Sequence, residues 1–154
     1  MHEVIIGFDG SEIAERAIRM AADVLRPAPA LVVAVYEPGI AFDARVGIDI
    51  QAVPIDYAAT AMADEAMYEG ARHRAARGAE LAREHGLEAE PLAAADAGGV
   101  GGTLVRLARE REASAIVVGA HRHGRMERIF LGSTSRAVLE HAPCPVLVVR
   151  AEED

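Results

Sequence analysis

Short, continuously apolar runs alternate along this chain with longer stretches in which apolar residues return every three or four positions. Val4-Ile5-Ile6-Gly7-Phe8 is apolar throughout, the pattern of a parallel strand covered on both faces. Asp9-Gly10-Ser11 then turns the chain, with Ser11 placed to cap a helix and Glu12 and Glu15 in its first turn, where carboxylates face the positive end of the helix dipole. Ile13, Ala14, Ala17, Ile18, Ala21 and Leu25 make one stripe of that helix, and Arg26-Pro27 stops it. The same reasoning predicts a second strand over 30–36 and a long helix over 59–85, with Met67, Ala71, Ala75, Ala79 and Ala82 on a narrow stripe and Gly86 just past its end. A strand over 88–95, a helix over 103–112, a strand over 114–118, a helix over 133–141 and a strand over 145–150 complete the series.

Strands separated by helices imply parallel pairing through right-handed crossovers. The expected fold is therefore α/β: a single domain over 1–154 built on a doubly wound five-stranded parallel sheet, strand order 3-2-1-4-5, with helices on both faces. In that order the direction of winding reverses between strands one and four, and ligands of such sheets sit there, at the carboxyl ends. Two connections stand out. The segment 37–58 carries Ile40, Phe42, Val46, Ile48, Ile50, Val53 and Ile55, which suits a loop folded back over the sheet, or else a lid or a partner surface. Asp96-Ala97-Gly98-Gly99-Val100-Gly101-Gly102 invites a dinucleotide reading but lacks the third glycine of G-x-G-x-x-G and follows the third strand rather than the first. A plain flexible turn is expected there.

Charge and composition narrow the chemistry. With 24 acidic against 16 basic residues and a net charge of −8, neither nucleic acid nor an anionic membrane is an expected partner. There is no apolar run of the length of a membrane span, and Met1-His2-Glu3 leads into the first strand without a basic and apolar leader, so cytoplasmic residence is the expectation. All 16 basic residues are arginine. Without lysine there is no Walker-type phosphate lysine, no Schiff base and no lysine general base. Cys144, the one cysteine, lies between Pro143 and Pro145 and reads as a small buried hydrophobe. No paired carboxylates or Ser-His-Asp arrangement in a strand-turn-helix context accompanies the expected crevice, so a non-enzymatic protein is expected, slow turnover of a bound ligand aside.

One stretch has the chemistry of an anion site. Gly119-Ala-His-Arg122, nine residues, then Gly132-Ser133-Thr134-Ser135 join the fourth strand to the helix after it. Glycine permits close backbone approach and positive φ, while the first free N–H groups of a helix and a neighbouring hydroxyl face a phosphate. Arg122, Arg125 and Arg128 crowd the same loop. His121 and His123 flank a guanidinium that repels cations and have no third ligand nearby, which favours phosphate or solvent over metal. Gly7-Phe8-Asp9 falls at the same crevice, where Asp9 is either a ligand contact or only a helix-cap residue.

Val4-Ile-Ile-Gly-Phe-Asp-Gly-Ser-Glu12, Ser114-Ala-Ile-Val-Val-Gly119 and the terminal block from Leu131-Gly-Ser-Thr-Ser to Pro145-Val-Leu-Val-Val-Arg150 resemble the universal stress protein family over essentially the whole chain. The resemblance implies the 3-2-1-4-5 fold and, for members with G-x-x-G, nine residues and G-[ST], ATP or AMP in the cleft, with any Mg²⁺ carried by the nucleotide. It implies that Asp9 meets the adenosine, Val35 flanks the adenine, and Gly119, Gly132 and Ser133 hold the phosphates. The second glycine of the family motif is Arg122 here; it either strains the loop and fills the phosphate space or forms a charge-assisted fork to the phosphate. The expected binding set is Gly7, Phe8, Asp9, Val35, Gly119, His121, Arg122, Gly132, Ser133, Thr134 and Ser135. The expected role is regulatory or sensory, the alternative a nucleotide-independent interaction module of the same fold. An apolar fifth strand at the sheet edge, together with the resemblance, implies a homodimer through that strand.

Overall fold

The computed structural model describes residues 2–25, 28–39, 56–120 and 131–151. Strands and helices alternate as β1 (Val4–Gly7), α1 (Glu12–Val24), β2 (Pro29–Tyr36), α2 (Tyr57–Glu84), β3 (Glu88–Ala95), α3 (Val100–Glu110), β4 (Ala115–Ala120), α4 (Ser133–His141) and β5 (Val146–Arg150). The five strands form one sheet in the order β3-β2-β1-β4-β5, every pair parallel, which is the expected topology. Ile5 stands between Leu31 and Ile116 in the register.

The central position of β1 explains its unbroken apolar run. Val4, Ile6 and Phe8 pack on one face against α1 and the C-terminal half of α2, while Ile5 joins Leu31, Val33, Leu104 and Val138 on the other, under α3 and α4. α1 begins as expected, with the Ser11 hydroxyl accepting the Ala14 N–H at 3.3 Å. The stripe of α2 is almost entirely alanine, and Gly78 lies in it: a Cβ there would come within 2.8 Å of Phe8 and Val32. Small residues thus let the C-terminal half of a 28-residue helix lie close on the sheet. It ends at Gly86, whose φ of 89° allows the Gly86 and Leu87 N–H groups to reach the Arg83 and Ala82 carbonyls at 2.9 and 3.0 Å.

The glycine-rich segment corrects the expectation of a flexible turn and of a helix starting at Thr103. Gly98 and Gly99 do turn the chain with positive φ. The turn is nevertheless tied down: Asp96 accepts the Gly99 N–H at 2.6 Å, and the Thr103 hydroxyl accepts from Ala97 and donates to the Gly99 carbonyl. Gly101 already belongs to α3 and is buried, and its missing side chain is what allows α3 and α4 to touch. Most of the apolar connection 37–58 lies outside the described residues; at its start the Gly39 N–H is held by the Asp64 carboxylate at 2.7 Å. Among the described residues no helix is long and apolar enough to cross a membrane.

Candidate functional site

From the carboxyl end of β1 the chain turns into α1 on one face of the sheet, and α4, which follows β4, packs on the other. Between them opens a cleft of about 310 Å³, at the point where the order of winding reverses. Gly7, Phe8 and Asp9 from β1 and its turn, Val33 and Val35 from β2, and Val118 and Gly119 from β4 line it. The helices close the sides through Ile13 and Ala14 of α1, Arg74 of α2, Val100 and Leu104 of α3 and Thr134 of α4. The walls are chiefly aliphatic, a surface suited to a flat heterocycle, with polar groups confined to a few positions.

The two glycines of the cleft serve close approach. A Cβ on Gly7 would meet Leu104 at 2.9 Å, and one on Gly119 would meet Ile13 at 3.0 Å. Gly119 does not adopt positive φ, so its use here is to let α1 come down on β4. Asp9 is exposed at the mouth and accepts hydrogen bonds from both the N–H, at 2.9 Å, and the hydroxyl of Ser11. Its role in the entry to α1 and its place in the cleft wall are therefore joined in one side chain.

The helix after β4 presents a bare N-terminus. Gly132 is its N-cap and offers no side chain, and the first intrahelical bond runs from the Arg136 N–H to the Gly132 carbonyl at 3.0 Å. The N–H groups of Ser133, Thr134 and Ser135 precede that bond, and among the described residues no side chain caps them, which suits them to an anion. The three side chains divide. Thr134 is in the cleft wall, and Ser133 is exposed beside it. Ser135, expected as a ligand hydroxyl, is buried and donates to the Gly119 carbonyl at 3.3 Å, where it ties α4 to the end of β4. Gly132 has open space around it. His121 and Arg122, with His123, Arg125 and Arg128, lie outside the described residues.

As site residues, Ile13, Val100, Leu104 and Arg74 were not expected: Ile13 read as part of the core stripe of α1, Val100 as part of the glycine-rich turn, and Leu104 as an ordinary position of the helix after it. Arg74 precedes Ala75 at the border of the narrow alanine stripe of α2, a position that in sequence is indistinguishable from a solvated arginine. Cys144 is half-buried among the residues packed on the α3 and α4 side of the sheet, away from the cleft walls, and burial raises its thiol pKa above the ordinary value of 9.0. Among the described residues no group of three His, Cys, Asp or Glu side chains could hold a metal ion.

Comparison with known proteins gives this geometry a family. A Staphylococcus epidermidis protein named for the universal stress proteins is 48% identical over 48 residues, which is 31% of this chain and only 29% of that protein's length. The solved universal stress protein from Archaeoglobus fulgidus in complex with dAMP is 24% identical, with a TM-score of 0.66 over 97% of this chain and 98% of the other. An Arabidopsis thaliana family member with AMP bound is 17% identical, with a TM-score of 0.60 over 100% of this chain and 94% of the other. At these identities the two structures speak for the fold. The sequence profile of the Universal stress protein family matches residues 1–150, and the chain belongs to that family.

Proposed function

We propose that this protein is a regulatory or sensory nucleotide-binding protein that takes ATP or AMP into the cleft between β1 and β4 and does not turn it over as an enzyme. The observation that carries this is the meeting of three features in one hollow: an aliphatic slot, the reversal point of a parallel sheet, and an uncapped helix N-terminus. The base enters against Val35 and Val33, the ribose meets Asp9, and the phosphates reach Gly119, Gly132, Ser133 and Thr134, with any Mg²⁺ arriving on the nucleotide. The dAMP and AMP complexes of the two related structures support an adenine nucleotide as the ligand class. A cytoplasmic homodimer completes the proposal.

Isothermal titration with AMP and with ATP tests it. Wild-type protein is expected to bind at least one of them at sub-millimolar concentration. Ser133→Ala and Thr134→Val each weaken binding by about threefold to tenfold, the range of one lost hydrogen bond. Absence of heat at millimolar nucleotide, together with no 260 nm absorbance in freshly purified protein, would sink the proposal and leave a nucleotide-independent interaction module.

A further inference from the structure

We infer that Arg74 is the residue that makes this cleft select phosphorylated ligands over neutral nucleosides, an assignment that rests on the nucleotide function proposed above. α2 is held on the sheet by Ala71 and Ala75, both fully buried against Ala34, and this fixes Arg74 over the turn that follows β1. Its side chain lines the cleft, passing Gly10 and ending beside Gly70 one turn earlier on the same helix, two residues that have no side chain of their own. A Cβ on Gly10 would stand 3.7 Å from Arg74 Cδ, and one on Gly70 would stand 3.6 Å from Arg74 Nη1. Gly10 adopts a φ of 85°, so the turn keeps this corridor free of a side chain.

The neighbouring arginines of α2 are engaged. Arg72 pairs with Glu69, Arg77 with Glu15, and Arg83 donates to the Ala89 carbonyl. Arg74 is half-buried in the cleft wall and has no ion pair or hydrogen-bond partner among the described residues. A half-buried arginine that no carboxylate among the described residues meets is stabilised when a ligand supplies the anion. Phosphate suits it, because the planar fork donates two parallel charge-assisted hydrogen bonds. The uncapped amides of α4 reach the cleft from one face of the sheet and Arg74 from the other, so a phosphate would be held from both layers.

Titrations of the whole protein with AMP and with adenosine, on wild type, Arg74→Gln and Arg74→Lys, test the assignment. Arg74→Gln is expected to lose about tenfold or more of its AMP affinity while adenosine binding stays within about twofold of wild type. Arg74→Lys, which keeps the charge and loses the fork, falls between the two. The AMP affinity of Arg74→Gln also depends less steeply on salt than that of wild type. If wild type binds AMP and Arg74→Gln binds it equally well, or if AMP and adenosine weaken together, the role of Arg74 is overturned and the nucleotide function stands. If wild type binds neither, both fall.

Discussion

A methyl group at position 101 would lie 2.8 Å from both the Ala137 Cβ and the Thr134 carbonyl oxygen. The second of these is backbone in the first turn of α4, so relief requires the helix itself to move. Replacing glycine by alanine inside a helix is otherwise favourable by about 1 kcal/mol, while overpacking a tight contact costs about 1–3 kcal/mol. Gly101→Ala is accordingly expected to destabilise the protein by up to about 2 kcal/mol in urea denaturation, and to weaken AMP binding because Thr134 moves with α4. Gly102 is the internal control. A Cβ there meets only the Ala97 carbonyl oxygen, at 3.4 Å, and Gly102→Ala is expected to be neutral or stabilising by up to about 1 kcal/mol. Destabilisation of the two variants by the same amount would show that the α3 to α4 contact is not what holds position 101 as glycine.

At the level of elements, the turn between β1 and α1 joins folding to the cleft. The Ser11 hydroxyl both accepts the Ala14 N–H and donates to Asp9. Ser11→Ala removes the cap at a cost of about 1 kcal/mol and also frees the Asp9 carboxylate from one of its donors. Thermal denaturation should show the stability loss, and titration with AMP a parallel loss of affinity; a melting change with unaltered affinity would confine Ser11 to capping. The capping role was legible in Asp9-Gly10-Ser11-Glu12, as the strands β1, β2 and β4 were in their unbroken apolar runs, because burial on both faces leaves no polar position. The start of α3 was not. Glycine at 101 and 102 signals a turn by propensity, whereas position 101 is held as glycine by a helix contact that exists only once α4 is in place. Of the expected site, Gly7, Phe8, Asp9, Val35, Gly119 and Thr134 come together in one cleft, since strand order alone brings those ends together. Arg74 could not be read from the chain, because its distance from Asp9 along the sequence is closed only by the lie of α2 across the sheet.

For the whole molecule the two edges of the sheet are unlike. β3 carries Glu88 and Glu90 exposed, and Pro91, which has no N–H to offer a further strand. Charges and proline protect an edge against pairing. β5 has neither before Arg150. Its Val146, Leu147 and Val148 are only half-buried, with Val149 alone fully covered, and the polar groups of its outer side face away from β4. An open, apolar edge of this kind is satisfied most simply by the same strand of a second copy about a two-fold axis. That pairing would set two sheets edge to edge and leave both clefts free, because the cleft walls come from β1, β2 and β4 and include no residue of β5. Sedimentation equilibrium at micromolar concentration is therefore expected to give twice the 16.3 kDa chain mass, unchanged by AMP. A monomer mass across that range would overturn the dimer, and a mass that rises only when AMP is added would place the association at the cleft instead of at β5.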